Sequence, residues 1–162
     1  MREVTLIVDS GPLIALSLVD RVDVLRALYR EIWVPMAVVK EVSGQGSFRI
    51  GSDVFARHEW IQQISVSTPS SRVLAACLGR GEVEVIQLGF SRNDALLLLD
   101  DYRARRAAEA WGLPATGSVG VLIRAKEHGL INAVLPLLYA MRSAGYHISD
   151  AVIEAARLRA HE

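Results

Sequence analysis

The feature that most constrains the fold is a run of five apolar residues, Ala95 to Leu99, that ends in the adjacent acids Asp100 and Asp101. A continuous apolar run of this length is typical of a strand that is covered on both faces in a parallel sheet. A similar, nearly continuous run at residues 4–8 ends in Asp9. We therefore predict two buried parallel strands, each followed directly by carboxylates.

Strand and helix patterns alternate along the rest of the chain. Further short strands are predicted at residues 32–34, at 60–66 near a sheet edge, and at 113–117 as a strand or turn. Helical periodicity is found at residues 12–29, 36–42, 70–78, 82–90, 102–111, 119–127, 134–143 and 150–160, with an irregular segment at 44–57 that holds a possible short helix at 52–56. This alternation predicts an α/β protein, a three-layer α/β/α fold around a parallel sheet of about four to five short strands.

Composition narrows the class of protein. The chain has 162 residues, 51% of them hydrophobic, and a mean hydropathy of +0.27, which fits one globular domain spanning residues 1–162. Its 18 basic and 18 acidic residues cancel, so no bulk attraction to nucleic acid is expected. The single cysteine, Cys77, excludes an intrachain disulfide and is expected to be a buried structural thiol. No apolar stretch approaches the roughly 20 residues of a membrane span, and no secretory signal is recognised, so we expect a cytoplasmic protein without a membrane partner.

The acids have a common placement. Asp9 ends the first strand, Glu41 lies on the helix after the second strand, and Glu82 and Glu84 open a helix that leads back to the sheet. The carboxyl ends of parallel strands gather at one edge, so these acids and the Asp100–Asp101 pair can meet there. Clustered carboxylates repel one another, and a hard divalent cation such as Mg²⁺ or Mn²⁺ removes that repulsion. The pattern indicates a metal site suited to phosphodiester hydrolysis.

Each acid also has a structural explanation. Asp9 alone fits a helix cap, Glu41 fits a solvated surface position, and Glu82 and Glu84 are favoured by the dipole of the helix that they open. Asp100 and Asp101 are harder to explain, because only one of two adjacent acids can cap the next helix. We favour Asp101 as the metal ligand, with Asp100 as a cap or outer partner. The joint placement of these acids, and no single one of them, supports the metal site.

Several motifs carry a resemblance to a known family. They are Asp9-Ser-Gly-Pro-Leu-Ile-Ala-Leu, Glu41 at the end of Val-Pro-Met-Ala-Val-Val-Lys-Glu, Gly81-Glu82-Val-Glu84, Leu-Leu-Leu-Asp100-Asp101, and Thr116-Gly117-Ser118-Val-Gly120. In this order and spacing, the sequence resembles the PIN-domain family, and its last third resembles one prokaryotic branch of it. The resemblance covers residues 3 to about 156.

The resemblance implies a function. Members of the family are metal-dependent ribonucleases, and many are VapC-like toxins that an antitoxin restrains; they commonly form homodimers. By motif, Asp9, Glu41, Glu82 and Asp101 match the catalytic acidic quartet, with Glu84 and Asp100 as ambiguous neighbours. The expected metal ligands are Asp9, Asp101, Glu82 and Asp100, for one or two Mg²⁺ or Mn²⁺ ions that activate water against an RNA phosphate.

Substrate contacts are expected beside the acids. The hydroxyls of Ser10 and Ser118 offer donors to a phosphate, although both residues are equally suited to cap helices. Arg103 and Arg106 share one face of the helix after Asp101 and are candidates for flanking phosphates. The apolar positions of residues 133–160 predict either a last helical layer or a dimer face.

Other classes of protein are less well supported. The turn after the first strand lacks the Gly-x-Gly-x-x-Gly of dinucleotide-binding enzymes, and no Gly-Lys-Ser/Thr phosphate loop is present. The remaining alternative is a catalytically weak or inactive module of the same fold that binds nucleic acid or a protein.

Overall fold

The computed structural model describes residues 3–44, 53–67 and 76–162. The strands are β1 (Thr5–Val8), β2 (Glu31–Pro35), β3 (Ile61–Ile64), β4 (Ala95–Leu98) and β5 (Ala115–Thr116). The helices that lie wholly within these residues are α1 (Ser10–Leu18), α2 (Asp23–Leu28), α3 (Met36–Gly44), α4 (Val54–Arg57), α5 (Arg80–Phe90), α6 (Tyr102–Ala110), α7 (Ser118–Glu127), α8 (Leu135–Ser143) and α9 (Asp150–Ala160).

The five strands form one parallel sheet in the order β3-β2-β1-β4-β5. Ile7 of β1 pairs with Trp33 of β2 on one side and with Leu97 of β4 on the other. All of β1 and most of β4 are buried, as their apolar runs predict. The predicted three-layer α/β/α fold with a central parallel sheet is confirmed, and β3 lies at an edge as expected.

The sheet contains one topological switch point. From β1 the chain adds β2 and β3 on one side, and it then adds β4 and β5 on the other side. At such a point the connections after neighbouring strands diverge, which leaves a crevice at the carboxyl ends of those strands. Asp9 follows β1 directly, and Asp100 lies two residues beyond the end of β4, so the strand order places both acids at this crevice.

Two sequence predictions that concern residues outside the acidic site were wrong. The single helix predicted at residues 12–29 is divided into α1 and α2, because Asp20 adopts a positive φ of 52° and the N–H of Arg21 turns back to the carbonyl of Leu16 at 2.9 Å. Cys77 is exposed, not buried. Most of the predicted helix at 70–78 and of the irregular segment at 44–57 lies outside the described residues, although α4 matches the possible short helix there.

The C-terminal helices form a layer of their own on the core. Leu138 and Met141 of α8, Ile148 of the connecting loop and Ile153 of α9 are buried. This confirms the helical-layer alternative for residues 133–160, and a dimer face remains a prediction. Within the described part of the chain, no helix has the length and apolar character needed to cross a bilayer.

Candidate metal centre

Asp9 lies at the carboxyl end of β1 and is only 6% exposed. It occupies the N-cap position of α1, yet its side chain makes no capping hydrogen bond. Its Oδ1 is buried and has no hydrogen-bond partner among the described residues. The prediction that Ser10 caps this helix was wrong, because α1 begins at Ser10 itself. A buried carboxylate oxygen without a donor is costly, so the capping role does not account for Asp9.

The surroundings of Asp9 oppose its ionisation. Burial raises its pKa from 3.8 to about 7, the backbone N–H of Ser10 partly offsets this, and the carboxylates of Glu82, Glu41 and Asp100 raise the pKa further. These influences mean that four acids from four parts of the chain lie near one another. A positive charge placed among them would reverse each of the unfavourable contributions.

Glu41 reaches the cluster from α3. Its Oε1 accepts a hydrogen bond of 3.2 Å from the backbone N–H of Gly81, in the first turn of α5. A Cβ at Gly81 would lie 2.8 Å from that same oxygen, so only glycine allows this approach. The half-buried Glu41 is therefore positioned by the protein and is not the solvated surface residue of the alternative prediction.

Glu82 lies at the start of α5. Its Oε2 accepts from the N–H of Gly79, the N-cap residue of α5, at 2.9 Å. Burial raises the pKa of Glu82, the Gly79 N–H lowers it, and the charges of Asp101 and Glu41 raise it. Glu82 thus accepts from the N-cap residue of its helix and also lies near the other acids, and its role as a metal ligand stays a prediction.

Glu84 is buried and faces a different direction. Its Oε2 accepts from the backbone N–H of Ala37 at 3.0 Å, in the first turn of α3, and its Oε1 lies 3.4 Å from Nε of Arg80. With both oxygens engaged, Glu84 stabilises the packing of α3 on α5. The ambiguity between Glu82 and Glu84 is resolved in favour of Glu82 as the acid that faces the cluster.

The cap of α6 falls on Asp101 and not on Asp100, and which of the two acids binds a metal stays a prediction. Asp101 is the N-cap of α6, where its Oδ1 accepts from the N–H of Ala104 at 3.0 Å. Asp100 is not the cap, and that part of the prediction was wrong. Its carboxylate faces the crevice beside Asp9. Asp101 is exposed but close enough to Glu82 to raise the pKa of that residue.

Two residues donate three hydrogen bonds to the carboxylate of Asp100, and a third residue binds the backbone beside it. Ser118 donates to Oδ1 from its backbone N–H at 2.7 Å and to Oδ2 from its hydroxyl at 2.6 Å, and the Tyr146 hydroxyl donates to Oδ2 at 2.5 Å. Arg105 donates to the backbone carbonyls of Leu99 and Asp100 at 2.8 and 2.7 Å. These bonds fix the Asp100 carboxylate in one orientation.

Sequence reasoning missed Tyr146 altogether. It lies in the loop between α8 and α9, 46 residues beyond Asp100, and no motif marks it. Burial and the neighbouring Asp100 and Asp9 charges raise its pKa well above the ordinary value for tyrosine, so it stays a hydrogen-bond donor. A Cβ at Gly11 would approach the Tyr146 hydroxyl to 3.2 Å, so the glycine of the first turn makes room for it.

The residues that were predicted to contact substrate differ in their exposure and in their partners. Ser118 is 3% exposed and gives both its donors to Asp100, so it shapes the site and is not free to bind a phosphate. Ser10 is half-buried beside Asp9. Arg103 and Arg106 are exposed on α6, and Arg106 pairs with Glu109 at 3.2 Å. The role of Ser10 and of both arginines in binding substrate stays a prediction.

We call Asp9, Glu41, Glu82, Asp100 and Asp101 the acid cluster. Its all-oxygen donor set suits a hard divalent cation, and the unpaired Oδ1 of Asp9 offers a ligand atom. As their side chains stand, no three acids, histidines or cysteines of the described residues converge closely enough to hold an ion alone. Mg²⁺ is usually bound through only one or two carboxylates and keeps several waters, so the residues fit such an ion.

Comparison with known proteins identifies the family of this chain. The family model DUF3368, described as a PIN domain, matches residues 5–162, nearly the whole chain. The chain belongs to the PIN-domain family. Among solved structures, this PIN domain is similar to a domain of a functionally unknown protein from Methanocaldococcus jannaschii, at 19% identity and a TM-score of 0.43, over 70% of this chain and 89% of that one. No curated protein matches it.

Membership in this family carries general implications for fold and cofactor class. PIN domains have a nuclease-like fold and generally use divalent metal ions. In this PIN domain the strand ends and helix starts that carry acids meet at the switch point between β1 and β4. The recognition of the family from sequence is confirmed.

Proposed function

We propose that this PIN domain is a metal-dependent endoribonuclease that hydrolyses RNA phosphodiester bonds with Mg²⁺ or Mn²⁺. The observation that carries the proposal is the buried, unpaired Oδ1 of Asp9 beside three other carboxylates. A purely structural acid in such a place would have been expected to find a donor. An oxygen left free, in a site that opposes negative charge, is what a cation ligand requires.

The residues of the acid cluster and their neighbours would have different roles in the reaction. Asp9 and Asp100 would hold the ion directly, with Glu41, Glu82 and Asp101 bound to it or to its water ligands. A bound divalent ion supplies an acidified water and charge neutralisation at the phosphate. Ser118 and Tyr146 keep the Asp100 carboxylate correctly oriented, because both donate hydrogen bonds to it. Arg103 and Arg106 lie near enough to the cluster in sequence to meet flanking phosphates. The expected products carry a 5′-phosphate and a 3′-hydroxyl.

The test is RNA cleavage with matched variants. Wild-type protein with Mg²⁺ or Mn²⁺ is expected to cut a labelled RNA, and a chelator is expected to stop it. Asp9→Asn and Asp100→Asn should each lower the rate by more than about 100-fold. The control is Asp53→Asn, which changes an exposed acid beside α4 outside the acid cluster. A wild type that cuts nothing, or two site variants that cut normally, would refute the ribonuclease.

A second function is favoured by a different observation. Because no three candidate ligands of the described residues converge on one point, a module that binds RNA without cutting it is the alternative. The same assay separates the two functions if RNA binding is measured beside cleavage. Binding that is unaffected by Asp9→Asn, without any cleavage, would identify the binding module.

The biological setting is a finer part of the proposal. We infer from family membership that the protein is the toxin of a toxin–antitoxin pair, that it acts in the cytoplasm, and that it forms a homodimer. The support is the family itself, together with the partly exposed apolar residues Val152 and Leu158 of α9. A monomer by light scattering would remove the dimer, and growth that is unaffected by expression of the active protein would argue against a toxin.

A further inference from the structure

A groove of about 650 Å³ lies on the β5 side of Asp100. It is bounded by α6, by the first turn of α7, and by α8 and α9, and we call it the α9 groove. Asp100 is at its inner end, whereas Asp9, Glu41 and Glu82 are not among its lining residues. It is therefore a separate space that meets the acid cluster at a single side chain. Its volume is within the range of about 300–1,000 Å³ that is usual for small-molecule sites.

The floor of the α9 groove is apolar and lined by small residues. The buried side chains of Leu138, Met141 and Ile148 form one wall, and Ala155 lies on the opposite helix. Gly117 continues the floor to Asp100, and a Cβ there would lie 3.1 Å from Oδ1 of Asp100. Gly117 therefore lets the Asp100 carboxylate lie against the backbone at the inner end of the groove.

The mouth of the groove carries polar and aromatic groups. Tyr102 is 67% exposed, and His147 and Arg159 are exposed beside the opening. Among the described residues, Arg159 makes no ion pair, whereas Arg157 on the same helix pairs with Glu154 at 2.6 Å. A phenol ring, an imidazole and a guanidinium are the groups on which nucleobases stack or to whose edges they bind.

The charges that line the groove offer no excess of positive charge for a phosphate. Its lining carries two carboxylates, Asp100 and Glu109, and two guanidinium groups, Arg105 and Arg159, so these charges balance. The Arg105 guanidinium is directed at the backbone carbonyls of Leu99 and Asp100. A neutral, flat base matches a lining without net charge, an apolar wall, and the aromatic groups at the mouth.

We propose that the α9 groove binds one nucleobase of a single-stranded RNA, next to the phosphate that is cut at the acid cluster. This rests on the proposed function, since the RNA is taken to be the substrate. Asp100 belongs to both spaces, which places the bound base one nucleotide from the scissile bond. Single-stranded RNA is required because the base must be unstacked to enter a groove. The groove gives the enzyme a preference for the base at that position.

The test fills the groove and compares the result with a matched substitution. Ala155→Trp places an indole in the groove, and Ala140→Trp places one on an exposed position of α8 that does not line it. Binding of fluorescein-labelled uridine and adenosine dodecamers is measured by anisotropy, with Ca²⁺ replacing Mg²⁺ to prevent cleavage. Ala155→Trp is expected to weaken binding about tenfold and to redistribute the cleavage positions on a mixed RNA when Mg²⁺ is restored, whereas Ala140→Trp changes neither.

A second pair of variants gives a test that does not depend on whether the protein tolerates an indole at position 155. Arg159→Ala is expected to weaken RNA binding several-fold, and Arg157→Ala, two residues away but outside the groove, is not. Thermal unfolding of all four variants verifies that they are folded. Binding is also measured with dodecamers that carry one abasic nucleotide, placed at each position in turn. Loss of the base at one position should weaken binding to wild type and should have no effect on binding to Ala155→Trp.

The outcomes distinguish the groove proposal from the proposal that the protein is a ribonuclease. If wild type cuts RNA and both groove variants match it in affinity and cleavage positions, the groove proposal is refuted and the ribonuclease stands. If wild type binds RNA in a groove-dependent way but never cuts, the groove stands and the ribonuclease fails. If the groove variants alter only the oligomeric state in light scattering, a second copy of the chain occupies the groove and the proposal is overturned.

Discussion

Replacement of Asp9 by asparagine is expected to stabilise the metal-free protein at neutral and alkaline pH. Asparagine has nearly the same shape as aspartate but cannot ionise, so it removes the buried charge without creating a cavity. In the folded protein, burial and the acids Glu82, Glu41 and Asp100 raise the pKa of Asp9 from 3.8 to about 7. The folded state therefore holds a proton that the unfolded state has already released.

The sign and size of the effect follow from this difference. Below about pH 4, Asp9 is protonated in both states and its ionisation has no effect on stability. As the pH rises towards 7, only the unfolded chain is ionised, so the free energy of unfolding falls. Above about pH 7, the full loss is reached, and the change from 3.8 to about 7 corresponds to about 4 kcal/mol at most.

The assay is thermal or urea denaturation from pH 5 to pH 8.5 in the presence of a chelator. At pH 8, Asp9→Asn should unfold roughly 5–15 °C above wild type, with the difference shrinking as the pH is lowered. Addition of Mg²⁺ or Mn²⁺ at about 100 times its Kd should stabilise wild type by about 2.7 kcal/mol and leave the variant unchanged. Asp53→Asn, an exposed substitution, serves as the control. Wild-type and Asp9→Asn curves that run parallel across the pH range would refute the argument.

Three other changes test the positioning of the site. Gly81→Ala should lower cleavage about tenfold or more, because the new Cβ at position 81 would lie 2.8 Å from the Glu41 carboxylate and displace it. Gly44→Ala is the control, because a Cβ at position 44 meets nothing within 4 Å, and it should have no effect on cleavage. Asp101→Asn should retain the side-chain cap of α6, whereas Asp101→Ala should lose about 1 kcal/mol in urea unfolding, and equal stability of the two variants would contradict the capping role. Tyr146→Phe should cost about 1–2 kcal/mol in the same measurement, because it removes a donor to a charged acceptor, and an unchanged midpoint would show that the bond contributes little.

The sheet and the meeting of the acids were predictable from sequence for a physical reason. Strands buried on both faces need continuous apolar runs, and β1 and β4 have them. Parallel strands then bring their carboxyl ends to one edge, whatever the loops between them do. Asp9 and the Asp100–Asp101 pair could be placed together on these grounds alone.

The assignment within the Asp100–Asp101 pair could not be predicted. Consecutive residues of an extended chain point in opposite directions, so one of the two faces the crevice and the other faces the helix that follows. Which one does so depends on where β4 ends and α6 begins, and a shift of one residue exchanges their roles. The bounds of an element are the least certain part of any pattern, and here the cap falls on Asp101.

Tyr146 was not predicted because its hydrogen-bond partner, Asp100, is distant in sequence. Its hydroxyl meets Asp100 only after α8 and α9 have folded back over the start of α1. Nothing in the local sequence distinguishes this tyrosine from one that packs in a loop. Contacts across 46 residues depend on the tertiary fold, and periodicity carries no information about them.

The acids that do not face the crevice determine the position of those that do. The N–H of Gly81 in α5 donates to Glu41 of α3, and the N–H of Ala37 in α3 donates to Glu84 of α5. These two bonds run in opposite directions between the same pair of helices, so neither helix can shift along the other without losing one of them. Glu41 is thereby positioned without a cation, and Asp100 is positioned by Ser118 and Tyr146. Among the described acids of the cluster, Asp9 has the buried oxygen without a donor, so its ligand atom is the one whose free energy a bound cation would change most.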